Sequence, residues 1–150
     1  MVFGSAGCHQ QQDDDGGSGF GGDSLIGGGW GNFQGMATSN YYGMFHGFRG
    51  TAVGEVESRV GTAGVVTEFS AAITTAPPTG NWTFTLFKNG VAEAATCSIA
   101  GGSTNCSDAT HCVAFAAGDR IAVEVVPMGA TANSGGPRWT AVFAAGGSCS

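Results

Sequence analysis

Two pairs of turn residues, Asn89-Gly90 and Gly101-Gly102, lie within one stretch of the chain, NWTFTLFKNGVAEAATCSIAGGSTNC (81–106), and fix which residues must face each other. Two-residue hairpin turns need positive φ, which Asn and Gly adopt at low cost. Counting outward from Asn89-Gly90 pairs Lys88 with Val91, Phe84 with Ala95 and Trp82 with Cys97. Counting from Gly101-Gly102 pairs Ala100 with Ser103, Ile99 with Thr104 and Cys97 with Cys106. The expected result is a three-strand meander with Trp82, Cys97 and Cys106 in one row.

Residues flanking a two-residue turn form a hydrogen-bonded pair, so stepping outward makes Cys97 and Cys106 a non-hydrogen-bonded pair, with Cα atoms about 4.5 Å apart. A disulfide tolerates roughly 4.4 to 6.8 Å, so the register predicts a Cys97–Cys106 bond in place of two unpaired thiols. Closing so short a loop would stabilise the fold by about 2 to 3 kcal/mol on the chain-entropy model. Alternation agrees: Trp82, Phe84, Leu86, Ala95, Cys97, Ile99 and Cys106 share one face, and Thr83, Thr85, Thr96, Ser98 and Asn105 the other. Glu93, opposite Leu86, is the one discordant residue.

From Ser39 onward strand signals recur between turn residues, and no window carries a helical period. Strands are expected at 40–48, 53–60, 64–75, 81–88, 91–100, 103–115 (bent near Asp108), 120–127 and 137–145. Eight short strands make a sandwich or barrel. Residues 1–35 differ: HQQQDDD is followed by GGSGFGGDSLIGGGWGNFQG, almost without β-branched residues. The chain therefore divides into a glycine-rich extended N-terminal arm, 1–35, and an all-β sandwich, 36–150. Phe20, Leu25, Ile26, Trp30 and Phe33, isolated among glycines, are apolar anchors for docking the arm on a neighbouring surface; a plain linker is the alternative.

The hairpin WTFTLFKNG (82–90), TCSI (96–99), SDATH (107–111), AAGDRIAVEVVP (116–127) and RWTAVF (138–143) together resemble a jelly-roll domain of bacteriophage virion proteins and related bacterial surface proteins, over roughly 41–145. More distantly, the turn-Gly-Asp-strand at Gly118 and Asp119 is similar to that of trimeric tumour-necrosis-factor and C1q-like heads. The resemblance implies an eight-stranded jelly-roll-like sandwich, trimerisation, and a place on a capsid, head fibre or tail fibre. The arm lies outside it.

Charged residues make up only 11% of the chain, against a usual figure of about 25%, and the net charge is −6. The five basic residues, Lys88, Arg49, Arg59, Arg120 and Arg138, form no cluster, which argues against nucleic acid as a partner. No run of apolar residues is long enough for a transmembrane helix, and no export signal is expected in MVFGSAG. Five cysteines suggest an oxidising final environment. That combination fits a virion released by lysis, or a signal-less route to the cell surface. Cys8 and Cys149 flank the two ends and suit a disulfide between arm and body or between subunits, or stand as free thiols; Cys112, in CVAF, reads as a small buried hydrophobe.

No catalytic residue is expected. His9, His46 and His111 are separated from any nucleophile and carboxylate, and His111 and Cys112, adjacent in a strand, would point to opposite faces. Asp108, Thr110 and His111 read instead as shaping a bend. Asp13, Asp14, Asp15 and Asp23 match no calcium-loop spacing and read as a solvated tract, so no metal or other cofactor is expected. Trp30, Tyr41, Tyr42 and Phe45 could form a sugar-stacking platform, but at strand spacing core or interface is preferred. The expected function is a non-enzymatic virion structural protein: a capsid decoration or cement subunit, or a fibre head. Its expected partners are its own copies, as a homotrimer, and a major capsid protein or fibre shaft. The alternatives are a carbohydrate-binding adhesin and a filament subunit with a donor-strand arm.

Overall fold

The computed structural model describes residues 22–31, 38–130 and 135–150. These form eleven strands: β1 (Asp23–Gly29), β2 (Asn40–Gly43), β3 (Arg49–Gly50), β4 (Ser58–Arg59), β5 (Gly64–Ala72), β6 (Asn81–Lys88), β7 (Val91–Ala100), β8 (Asn105–Asp108), β9 (Val113–Phe115), β10 (Arg120–Met128) and β11 (Arg138–Ala145). The only helical element among the described residues is one 3-10 turn, Val53–Glu55. All strand pairs are antiparallel, in a five-stranded sheet ordered β1-β11-β5-β8, with β9 also on β5, and a six-stranded sheet ordered β3-β2-β10-β6-β7, with β4 also on β10.

The register reduces eleven strands to eight rows. β2 pairs with Ala122 to Val125 of β10, and β4 continues along Arg120 and Ile121, so the two are one strand interrupted by an excursion through β3. β8 and β9 likewise run along a single partner, β5, and are one strand broken between Asp108 and Val113. In row order the sheets are 1-8-3-6 and 2-7-4-5, the winding of a jelly roll. Eight rows were expected, but with different members. The segments 40–48 and 53–60 share one row, and the eighth row is β1, from within the glycine-rich arm. Residues 23–29 are thus a strand of their own chain's sheet, paired over their whole length with β11.

The Asn89-Gly90 turn is as expected, with both residues at positive φ (51° and 81°), and Lys88 pairs with Val91. Beyond Phe87 the register shifts by two residues: Phe84 faces Cys97 and Trp82 faces Ile99, in place of the expected Ala95 and Cys97. The cause is Glu93. An unbroken ladder would place its carboxylate beside Leu86 on the buried face, and a bulge removes it from that position. A two-residue shift leaves every other side chain on its own face, so Trp82, Phe84, Leu86, Ala95, Cys97 and Ile99 are all buried.

The second turn departs further. Ser103 donates its N–H to Ala100 (3.0 Å), but only Gly102 has positive φ (85°), the pattern of a type II turn. Such a turn splays the strands it joins. The chain leaves β7 in one sheet and enters the other as β8, paired to β5. The meander is therefore two strands, and Cys97–Cys106 (Cα–Cα 5.7 Å) staples sheet to sheet instead of neighbour to neighbour.

Between the sheets lie Trp82, Phe84, Leu86, Ile99, Ile121, Val123 and Val125 from one side and Val66, Phe69, Trp139 and Ala141 from the other. Trp139 packs against Tyr42 with the rings tilted and their centroids 5.2 Å apart, and its indole N–H donates to the Met44 carbonyl (3.1 Å), so the one polar atom of a buried ring is satisfied. A smaller cluster of Val56, Phe87 and Ala122 forms where the β2–β4 excursion covers the outside of the six-stranded sheet.

Candidate interaction surface

The groups with chemical potential are engaged in structure. Phe48 donates its backbone N–H to His46 Nδ1 (3.2 Å), which leaves the ring proton on Nε2, facing Ser58 Oγ at 3.5 Å. A histidine in that tautomer has no lone pair to take a proton from Ser58. His111 Nδ1 lies 2.7 Å from Asp108 Oδ2, but the neighbouring Cys112 is bonded to Cys149 (Cα–Cα 5.6 Å) and is no nucleophile. This pairing corrects both readings of these cysteines. Cys112 is not a free apolar residue, and Cys149 is spent within the body, not on Cys8; Cys8 itself lies outside the described residues. The bond secures the C-terminal tail, where Gly146 N–H also donates to Ala63 (2.9 Å). Two disulfides fit an oxidising, extracellular-type environment.

Asp108 shapes the bend between β8 and β9, as its sequence context suggested. Its Oδ1 accepts the N–H groups of Thr110 (3.1 Å) and His111 (3.2 Å) and the Thr110 hydroxyl (3.0 Å), while Oδ2 takes the N–H of Thr96 (3.0 Å). In the turn after β9, Asp119 ties two turns together. It accepts from Asn89 Nδ2 (2.8 Å) and Ala116 N–H (2.8 Å) and pairs with Lys88 (3.3 Å). Those hydrogen bonds, Asn89's first, hold its carboxyl below the ordinary value. Among the described residues no group of three or more His, Cys, Asp or Glu side chains is placed to hold a metal ion.

Trp30, Tyr41, Tyr42 and Phe45, preferred as core or interface over a sugar platform, are dispersed. Tyr42 is fully buried, and burial pushes its phenol up to about 12; Tyr41 packs edge-on against Phe87 (5.3 Å). Trp30 and Phe45 remain exposed and belong to a different surface, around β1. This strand is the last of its sheet, and no strand pairs with its far side among the described residues. Ile26 turns inward onto the core, while Leu25, one residue back, is 77% exposed. The loop after β2 packs on the same strand: Gly28 lies against the Met44 carbonyl, and Gly47 against the Gly29 carbonyl and the Trp30 ring. That loop carries Phe45 and Phe48, 48% and 59% exposed, beside Trp30 at 41%. Ile26, Phe45, Val60, Ile121 and Phe143 line an apolar opening of about 200 Å³ between the sheets.

Of the anchors read from the arm, the structure thus brings Leu25, Ile26 and Trp30 to one edge. Ile26 is spent on the chain's own core, and Phe20 and Phe33 lie outside the described residues. Phe48 belongs to the same surface and was missed, because nothing in FHGFRG shows that its loop folds back onto the arm. A scan against protein-family models gives no match, and no curated protein is significantly similar to the chain.

Proposed function

We propose that this chain is a non-enzymatic structural subunit that assembles with copies of itself through the β1 edge and the adjoining aromatic loop. The observation that carries the reading is the exposure of Leu25, Trp30, Phe45 and Phe48 on and beside an edge strand with no second partner strand among the described residues. An open edge presents a row of unpaired N–H and C=O groups, and natural sheets blunt such edges with charge, proline or bulges. Beyond Asp23, the sequence SLIGGG contains none of these. Exposed apolar groups contiguous with such an edge mark an interface. The scarcity of charge elsewhere suits close packing of like subunits, where an unpaired charge would be costly to bury.

The setting we favour is a virion surface, as a capsid decoration or cement protein or a fibre head, with a homotrimer as the assembly and a major capsid protein or fibre shaft as the further partner. Support comes from the resemblance over 41–145 and from disulfides in a chain of extracellular type. The donor-strand filament is less well supported, since Asp23–Gly29 already pairs with β11 of its own chain. Light scattering after size exclusion tests the reading. The native chain should elute as an oligomer, and the double variant Leu25→Lys, Phe48→Asp at the single-chain mass of 14.9 kDa with unchanged thermal stability. A native chain that is monomeric at all concentrations would remove the proposal.

A further inference from the structure

The two sheets treat the hydroxyl groups on their outer faces differently. On the six-stranded sheet they satisfy each other across strands: Thr83 with Ser98 (2.8 Å) and Thr85 with Thr96 (3.1 Å). The five-stranded sheet carries the same kinds of residue without such pairing. Its register aligns Arg138, Ala72 and Asn105 in one row across β11, β5 and β8, and Thr140, Ser70 and Ser107 in the next. All six point away from the core, because the intervening Trp139 and Ala71 are buried. Ala72 and Ser70, in the middle strand, are too small to fill the space between the outer strands. The result is a trough of about 400 Å³.

Ser70 Oγ donates to the Glu68 carbonyl (3.2 Å), but Asn105, Ser107, Thr140 and Arg138 have no side-chain partner among the described residues. Among the described residues Arg138 is the only charge lining the trough. Three other cations are engaged, Lys88 by Asp119 (3.3 Å), Arg120 by Glu57 (3.0 Å) and Arg59 by the Gly118 carbonyl (3.4 Å), while Arg49 lies away from the trough, on β3 of the other sheet. A single unpaired guanidinium at the end of a hydroxyl- and amide-lined trough is complementary to an anion that brings hydroxyls of its own.

We propose that this trough binds a sugar residue carrying a carboxylate. The planar fork of Arg138 matches a carboxylate with two parallel hydrogen bonds, whereas a doubly charged phosphate would call for a second cation that this face lacks. Asn105 and Ser107, roughly 7 Å apart along β8, and Thr140, about 9.6 Å away across the intervening β5, offer both donors and acceptors to ring hydroxyls. The Ala72 methyl between them meets the apolar face of a ring. The trough's volume falls within the usual range for small-ligand sites, about 300 to 1,000 Å³.

The test is a titration of the full chain, followed through its backbone amide resonances, with sodium glucuronate, glucose and sodium acetate in parallel. Glucuronate should shift Ala72, Asn105 and Thr140 at concentrations at least tenfold lower than either glucose or acetate. Arg138→Gln, an exposed position, should abolish that tenfold preference, and the pair Thr140→Val with Ser107→Ala should weaken glucuronate without changing the response to acetate. Acetate as effective as glucuronate, glucose as effective as glucuronate, an unchanged preference in Arg138→Gln, or no shift at these residues would each overturn the proposal.

Discussion

Thr96 of β7 donates its backbone N–H to the carboxylate of Asp108 at the end of β8, 3.0 Å away, so a buried anion joins the two sheets. Burial alone would raise the Asp108 pKa, but the bonds from His111, Thr96 and Thr110 outweigh it and hold the group well below the usual carboxylate range. A folded value below the unfolded one adds stability that is complete above the unfolded pKa, about 4, and is lost as pH falls through the folded value. Urea midpoints across a pH series should therefore fall below about pH 4. Asp108→Asn should be less stable at neutral pH by roughly 2 to 3 kcal/mol and depend less on acid. An equally steep acid dependence in the variant would place the titrating group elsewhere.

Gly28 allows the Met44 loop and the Trp139 indole to meet beneath β1. A Cβ at this position would come within 2.8 Å of the Met44 carbonyl oxygen and 3.1 Å of Trp139 Nε1, the two atoms of that hydrogen bond. Gly28→Ala should cost about 1 to 3 kcal/mol, the range for overpacking a filled site. Gly61→Ala, with open space around its Cβ, should cost no such amount and serves as the control. Thermal melts followed by tryptophan fluorescence distinguish the two.

The two disulfides should differ in weight. Their sequence separations are 9 for Cys97–Cys106 and 37 for Cys112–Cys149. The chain-entropy relation then gives about 2.6 and about 3.8 kcal/mol respectively. Replacing each pair by serine and comparing denaturant midpoints should show the greater loss for Cys112 and Cys149.

At the tip of the β6–β7 hairpin, Asn89 has φ 51° and bonds to both Asp119 and the Arg120 backbone. Asn89→Gly and Asn89→Ala lose the same side-chain bonds, so their difference isolates the backbone. The alanine variant should be the less stable of the two by about 1 to 2 kcal/mol, the cost of left-handed backbone for a residue with a Cβ. Equal melting temperatures would mean that the turn changes its conformation when Asn89 is removed.

Much of the sandwich was legible because it rests on period-two alternation and on turns whose residue types impose their geometry, as at Asn89-Gly90. The sequence also carried a warning where the register failed, since Glu93 was the one residue out of pattern. Gly101-Gly102 was ambiguous in principle, because glycine fits a primed turn and a type II turn equally well, and only the destination of the next strand decides between them. β1 escaped notice because its glycines make room for a loop from elsewhere in the chain, a requirement that leaves no local pattern. The Cys112–Cys149 pair is likewise a product of tertiary structure. The interaction surface was half legible: Leu25 and Trp30 stood out as isolated apolar residues, but their grouping with Phe45 and Phe48 depends on how the loop folds over β1.

The central claim, that the far side of β1 is an assembly edge, is tested most directly by hydrogen exchange of the β1 amides that do not donate to β11. In the assembled native chain these amides should be protected, and protection should fall on dilution and in the Leu25→Lys, Phe48→Asp variant, while the β6 and β10 amides stay protected throughout. Rapid exchange of the same amides at every concentration, with no difference between native chain and variant, would contradict it.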